Sequence, residues 1–267
     1  MCSGQSNMDF TVAGAFNATG ECATASNPNI RLFKTSRRTN TVPLEELSAR
    51  APLNWSAASP AAVCGEQWHS ALDRSTGFSA ACFFYAQELQ QTLRVPVGAI
   101  HTAWGGTNIE NWMSEQAMDA CPKHSPPGSS EVPAPSLLFN AMIAPFAPIV
   151  AASFLWWQGA RRFCGGKHCV SVGASQIHYV VLFNTPGESN ANTVANAQEY
   201  SCNQKAMITD LRAKFDGTPA LPFIFVQSFP LYGNLSQFQP YLLRKIHLYE
   251  MDSSIRTCQF HIQTLSN

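Results

Sequence analysis

Ser6 is the first residue of this sequence whose surroundings suit nucleophilic chemistry. It stands within Gly-Gln-Ser-Asn-Met, residues 4–8. A serine flanked by glycine and small polar residues can occupy a sharp turn, where Oγ projects and the serine N–H faces a developing oxyanion. An ordinary polar turn has the same composition, so the pentapeptide alone leaves both interpretations open.

Two glycines further along the chain can supply backbone donors to the same reaction. Residues 98–112 run from an apolar segment into Gly105 and Gly106, where the backbone can approach a ligand closely because no Cβ intervenes. The sequence does not decide which of the two glycine amides would face an oxyanion. Both therefore remain candidates.

An amide side chain provides a third kind of donor. Gln158 ends the apolar segment 154–157 and can donate a side-chain N–H. A later Gly-Glu-Ser-Asn run contains Glu188 and Asn190. The sequence thus offers a serine, two adjacent glycines and an amide side chain, each at or beside the end of a predicted strand or helix.

These blocks resemble the sialate O-acetylesterase family, a carbohydrate acetylesterase branch of the SGNH/GDSL-like hydrolases. Its motifs read Cys-Ser-Gly-Gln-Ser-Asn-Met, Trp-Gly-Gly-Thr-x-Ile-Glu-x-Trp and Trp-x-Gln-Gly-Glu-Ser-Asn, and residues 135–145 are also similar to that family. The resemblance implies a flavodoxin-like three-layer α/β/α domain with a parallel sheet. It also implies a carbohydrate O-acetylesterase that cleaves acetyl esters on sugar hydroxyls through an acyl-serine intermediate.

The resemblance also implies roles for individual residues. Ser6 would be the nucleophile, and its N–H, an N–H of Gly105 or Gly106 and the Gln158 side chain would form the oxyanion hole. Substrate contacts are expected at Asn7, Trp104, Glu188 and Asn190. Trp104 and Trp112 suit stacking on a sugar face, although core packing is an equal alternative for each. No metal or cofactor is expected.

The chain departs from the family at the acid–base block. Family members carry a C-terminal Asp-x-x-His that activates the serine, and no such tetrapeptide occurs here. Asp119 with His124 and Asp252 with His261 are spaced differently, and we interpret His247 and His261 as bystanders. The alternative function is therefore a catalytically inactive fragment or a glycan-binding remnant. A Cys/His-rich secreted interaction protein is a further alternative that the three blocks disfavour.

A second departure divides the third motif. Deleting residues 159–186 would restore the continuous motif Trp-Trp-Gln-Gly-Glu-Ser-Asn. We therefore interpret this segment as an insertion or a retained intron. A genuine loop is the alternative, in which a local Cys164–Cys169 disulfide or plain disorder is favoured over a metal clip, because the spacing lacks the usual ligand pairs. We expect one hydrolase domain over residues 1–240 and a tail without family pattern over residues 241–267.

Periodicity indicates which elements position the candidate residues. It predicts helices over residues 79–93 and 192–215, and buried strands over residues 97–100, 152–157 and 221–226. Alternating strands and helices imply a parallel sheet with ligands at the carboxyl ends of its strands.

The segments between these elements are predicted to be less regular. Residues 11–54 and 121–135 are rich in Pro, Ser, Thr and Asn and are predicted as long loops. Only five residues precede Ser6, so we expect the strand before it to be missing and the domain to be incomplete at both ends.

Composition excludes several function classes. Of the 267 residues only 13% are charged, and 17 basic residues balance 17 acidic ones. Such a chain has no net positive charge to attract nucleic acid or an acidic membrane surface.

Residues 132–160 carry no charge, but Pro145 and Pro148 interrupt this segment. The prolines favour a Pro-rich loop and a buried strand over a membrane span. The expected partner is an acetylated carbohydrate, and the oligomeric state is not predicted.

Cysteines and sequons indicate the compartment. The sequence has nine cysteines and glycosylation sequons at Asn17, Asn54 and Asn234, which favour secretion or a lysosomal or vacuolar lumen. Setting aside the cysteines of the inserted segment and the tail, Cys164, Cys169 and Cys258, leaves an even number that can pair.

Overall fold

A mixed sheet forms the centre of the computed structural model, which describes residues 1–66, 77–121, 134–158, 194–215 and 221–225. Six strands pair in the order β3-β2-β4-β1-β5-β6. The strands are β1 Cys2–Gly4, β2 Asn27–Lys34, β3 Leu53–Ala58, β4 Val97–Ala103, β5 Phe154–Trp157 and β6 Phe223–Phe225. The three strands predicted from periodicity are confirmed as β4, β5 and β6.

The strand expected to be missing before Ser6 is present as β1. Cys2 pairs in parallel with His101 of β4 on one side and with Leu155 of β5 on the other. All three residues of β1 are buried. The expectation was wrong because a three-residue strand carries no periodicity of its own and pairs only through its two neighbours.

The predicted long loop over residues 11–54 contains an unforeseen strand, β2. Its residues Ile30 and Leu32 are fully buried, and β2 pairs in parallel with β4. β3 runs antiparallel to β2 at the edge, so the sheet is mixed rather than wholly parallel. No helix separates β2 from β3, and a parallel partner would need a longer crossover connection than this.

Helices cover the sheet on both faces. The α-helices are α1 Ser6–Asp9, α2 Ala18–Ala23, α3 Pro60–Cys64, α4 Ala80–Leu93, α5 Glu115–Asp119 and α6 Val194–Phe215. The helices predicted over residues 79–93 and 192–215 are therefore confirmed as α4 and α6. The Ser79 hydroxyl caps α4 by accepting the Cys82 N–H at 3.2 Å.

Two buried clusters show the three-layer arrangement. Alternate residues of a strand point to opposite faces of its sheet; Phe154 and Trp156 join one cluster, whereas Leu155 joins the other. The first cluster includes Met207 and Phe215 of α6, and the second includes Phe83 of α4. The predicted α/β/α layering is therefore confirmed.

Three disulfides join elements of the described part of the chain. The pairs are Cys2–Cys82, Cys22–Cys64 and Cys121–Cys202. The even set of cysteines left after Cys164, Cys169 and Cys258 are set aside is the set that pairs; those three lie outside the described residues. The first bond joins β1 to α4, and the third joins residue 121, beyond α5, to α6.

The charge-free stretch before β5 forms short turns rather than a long helix. A π-helical turn, Phe139–Ile143, leads into a 3-10 turn, Ala144–Phe146, and the chain then enters β5. The buried strand predicted here is confirmed, whereas the helical turns were not foreseen. No helix in the described ranges is long and apolar enough to cross a membrane.

Candidate active site

The ends of three neighbouring strands bring the predicted site residues together. β1 lies between β4 and β5 and is parallel to both, so Gly4 pairs with Ala103 and with Trp157. The carboxyl ends of parallel strands meet at one edge of the sheet. Ser6, Gly105 and Gln158 each follow one of these strands within two residues and therefore lie at that edge.

Ser6 stands on a strand–turn–helix elbow. The Gln5 N–H donates to the Trp157 carbonyl at 3.0 Å, and the Gln5 carbonyl accepts the Asp9 N–H at 2.9 Å to begin α1. Ser6 is the first residue of α1 and is partly exposed. The elbow requires glycine at Gly4, where φ is +142° and an added Cβ would lie 2.1 Å from the Trp157 carbonyl oxygen.

The backbone of Gly105 packs directly against the serine. A Cβ placed on Gly105 would lie 3.4 Å from both Cα and Cβ of Ser6. The Trp104 N–H donates to the Gly4 carbonyl at 3.1 Å and so holds this loop beside β1. Gly106 follows with φ of +79°, and an added Cβ there would meet nothing within 4 Å.

Gln158 is buried at the same edge, with 1% of its surface exposed. Its Nε2 donates to the Thr107 carbonyl at 2.6 Å. This bond uses one of the two amide hydrogens. Oε1 has no hydrogen-bond partner within the described part of the chain. The Gln158 amide is therefore fastened to the loop that carries Gly105 and Gly106.

The candidate substrate contacts fall into three groups. Asn7 is buried on α1, and Trp104 is partly buried against the core. Trp112 belongs to the core, because it is 1% exposed and donates its Nε1–H to the Thr107 hydroxyl at 2.8 Å. Glu188 and Asn190 lie outside the described residues.

An Asp–His pair beside α1 was missed by the sequence analysis. Oδ1 of Asp9 lies 3.6 Å from Nε2 of His101, and Oδ2 of Asp9 accepts a hydrogen bond from Arg37. These residues are far apart in sequence, and only the pairing of β2, β4 and β1 brings them together. No local motif could have revealed this pair.

His101 is not placed as a base for Ser6. The ring is 1% exposed and packs edge-on against Phe78 at 5.6 Å. Burial, together with the charges of Lys34 and Arg37, lowers the pKa of His101 well below its usual 6.5 despite the nearby carboxylate. The imidazole is therefore neutral at pH 7 and enclosed within the layer that holds α1.

The other acid–base candidates are not brought to this edge by the described structure. Asp119 ends α5, while His124, His247, Asp252 and His261 lie outside the described residues. The inserted segment 159–186 and the tail 241–267 also lie outside them.

A three-layer α/β sheet with a serine elbow beside a glycine turn defines a hydrolase domain of the SGNH type. The family model for "Carbohydrate esterase, sialic acid-specific acetylesterase" matches residues 1–162. The chain belongs to this family.

Curated relatives and a solved structure agree with this assignment. Sialate O-acetylesterases of Pongo abelii and Homo sapiens are each 32% identical over 221 residues, which cover 80% of this chain and 35% of each relative. A carbohydrate acetylesterase from Xanthomonas citri superposes with a TM-score of 0.60 at 28% identity, covering 85% of this chain and 40% of that one. The chain thus spans about a third of the length of its curated relatives.

Proposed function

We propose that this protein is a carbohydrate O-acetylesterase in which Ser6 is the nucleophile. The observation that carries the proposal is the contact between Gly105 and Ser6 at the carboxyl ends of adjacent parallel strands. This proximity supports the proposal, because acyl transfer to serine needs a backbone N–H beside a serine that begins a helix.

The reaction follows from this placement. The Ser6 oxygen attacks the acetyl carbonyl, and the electron pair of the carbonyl moves onto its oxygen. The N–H groups of Ser6 and of the Gly105–Gly106 turn, with the second N–H of Gln158, stabilise that oxyanion; each such donor is worth about 10²- to 10³-fold in rate. The tetrahedral intermediate then expels the sugar alkoxide, which takes a proton, and water hydrolyses the acetyl-serine.

Among the described residues, no histidine is placed to accept the proton from Ser6. His101 is enclosed and is the sole histidine in the described ranges. The proposal therefore assigns no described histidine as the base. No metal or cofactor has a role in it.

The proposed substrate is an acetyl ester on a sugar hydroxyl, and sialate is the first sugar to test because the curated relatives are named sialate O-acetylesterases. Asn7 and Trp104 are the proposed sugar contacts in the described part of the chain. Glu188 and Asn190 are proposed on the motif alone.

Release of acetate from O-acetylated sugars, followed by NMR, tests the proposal. We expect the full chain to release acetate and Ser6→Ala to reduce the rate by at least ~10³-fold without changing the unfolding temperature. Ser36→Ala is the matched control, since that hydroxyl donates to the Arg50 carbonyl at 2.6 Å on the exposed surface. Wild-type release no faster than that of Ser6→Ala contradicts the proposal and favours the glycan-binding remnant.

We also propose that one domain spans residues 1–240 and is interrupted by residues 159–186. The chain on both sides of the interruption packs into the same cluster, because Phe154 lies edge-on to Phe215 with ring centroids 4.9 Å apart. Sequencing of transcripts across codon 158 tests the retained-intron interpretation. Some transcripts should lack the segment, and its presence in every transcript would contradict the interpretation.

The proposed location is the secretory pathway, ending outside the cell or in a lysosomal or vacuolar lumen. Three disulfides persist only in an oxidising compartment, and the sequon asparagines Asn17 and Asn54 are both exposed. Peptide mapping of protein from its native source should find the three disulfides oxidised and a glycan on at least one of these asparagines. Reduced thiols and bare sequons contradict this location.

A further inference from the structure

We propose that Gln5 is a positioning residue whose buried side chain fixes the glycine turn, so that Gly105 rather than Gly106 offers its N–H to the reacting oxygen. The inference rests on the proposed acyl transfer at Ser6 and extends it. It names the residue that organises the donors, and it decides between two glycines that the sequence leaves equivalent.

Gln5 joins the ends of three strands. It follows β1 directly and has 1% of its surface exposed. Its Nε2 donates to the backbone carbonyl of Gln158, just past β5, and its Oε1 accepts the Gly106 N–H at 3.3 Å, just past β4. Because β1 lies between β4 and β5, the residue that follows β1 can reach both neighbours with one side chain.

The two partners also fix which way the carboxamide faces. A backbone N–H can only donate and a backbone carbonyl can only accept. Oxygen must therefore face Gly106, and nitrogen must face Gln158. The amide orientation, which is often ambiguous for glutamine, is thereby determined by chemistry.

This bridge gives the two glycines different roles. The Gly106 N–H is occupied by Gln5, and the φ of +79° at Gly106 turns the backbone there. The Gly105 N–H has no hydrogen-bond partner among the described residues, and Gly105 is the glycine in contact with Ser6. Gly105 is therefore the donor that remains available, and Gln5 keeps the peptide that joins the two glycines from rotating.

Gln158 complements this arrangement from the third strand. Its carbonyl receives the Gln5 amide, and its own Nε2 bonds the Thr107 carbonyl at 2.6 Å. Two side chains thus hold the glycine turn: Gln5 bonds the N–H of Gly106, and Gln158 bonds the carbonyl of Thr107. A side chain without polar atoms at position 5 would release the first of these two restraints.

Amide hydrogen exchange on the full chain tests this proposal independently of catalysis. With ¹⁵N-glycine labelling, Gln5→Met should lower the protection of the Gly106 amide by about tenfold, the equivalent of one net hydrogen bond. The Gly98 amide inside β4 is the internal reference and should keep its protection. Gln116→Met is the matched control, because the Gln116 Oε1 accepts a bond from Lys214 on the exposed surface.

A second variant provides a rescue and covers the case in which Gln5→Met does not fold. In Gln5→Glu, the carboxyl accepts the Gly106 N–H whether or not it is protonated, and the carboxylate is the stronger acceptor. Protection of the Gly106 amide should therefore stay close to that of wild type. Protection of Gly106 that is unchanged in Gln5→Met, or lowered about tenfold in Gln5→Glu, overturns the proposal.

Kinetics separate this inference from the proposed function. Gln5→Met should lower kcat for ester hydrolysis by about 10²-fold, because the Gly105 N–H would no longer be held in position for the oxyanion. The variant should change KM less than threefold. An unchanged kcat overturns the positioning role. If the wild-type chain hydrolyses no ester, the proposed function fails, whereas the exchange experiment still decides whether Gln5 holds the turn.

Discussion

Gly4 and Gly105 show how differently two glycines of one site constrain the molecule. At Gly4 an added Cβ would overlap a backbone carbonyl at 2.1 Å with φ at +142°, whereas at Gly105 the contact with Ser6 would be 3.4 Å. Gly4 is therefore required by the fold. Gly105 is required by the access that its amide needs.

Gly4→Ala should accordingly lower the free energy of unfolding by about 3 kcal/mol or more, since neither the backbone of β5 nor the φ angle can accommodate it. Gly105→Ala should cost less than about 1 kcal/mol. Urea unfolding of both variants measures the difference. Equal losses in the two variants would contradict the elbow geometry.

At the residue scale, the sequence could identify single site residues but not the contacts between them. Ser6, Gly105 and Gln158 could be selected because each carries a group of known chemistry within a recognisable block. The bridge made by Gln5 and the pair formed by Asp9 and His101 could not, because both depend on which strands are neighbours.

At the scale of elements, β1 is one of the two shortest strands of the sheet, and it is the one that leads into the serine elbow. It has three residues, yet it pairs with two strands and ends at the serine elbow. Cys2 of β1 forms a disulfide with Cys82 of α4, and this bond anchors the strand to the helix layer. The disulfide compensates for a strand too short to be stable by its ladder alone.

Removing that disulfide by Cys2→Ala with Cys82→Ala should therefore cost about 2–5 kcal/mol of stability and reduce ester hydrolysis. The control is Cys22→Ala with Cys64→Ala, which unlinks α2 from α3 and should lower stability while leaving hydrolysis intact. Denaturant unfolding and acetate release measure the two effects. Hydrolysis reduced equally in both double variants would contradict a special role for β1.

The elements that could be predicted were those with long apolar patterns. α4, α6, β4 and β5 carry clear periodicity, so they were located within a few residues. β1 is too short to show a pattern, and β2 lies within a polar segment in which only residues such as Ile30 and Leu32 face the core. Both of these strands are stabilised by their neighbours rather than by their own composition.

For the molecule as a whole, His101 makes stability depend on pH. The histidine is held neutral in the fold, with a pKa well below the 6.5 of the unfolded chain. Below about pH 6.5 the unfolded state therefore binds a proton that the folded state does not, and stability falls as pH falls. The buried imidazole thus opposes the folded state in acid.

The expected slope from this group approaches about 1.4 kcal/mol per pH unit between its folded pKa and pH 6.5. His101→Gln should reduce that slope, although it also costs packing against Phe78. Urea unfolding between pH 5 and 8 provides the comparison. A slope that is identical in the variant would show that His101 is not held neutral.

The most direct test of the account is covalent labelling of the full chain with a fluorophosphonate, followed by mass mapping of the modified peptide. Attack of the Ser6 oxygen on phosphorus expels fluoride and leaves a stable adduct that marks an activated serine. We expect one adduct per chain, on Ser6, absent in Ser6→Ala and retained in Ser36→Ala. A label on another serine, or none on Ser6, would contradict the assignment of Ser6 as the nucleophile.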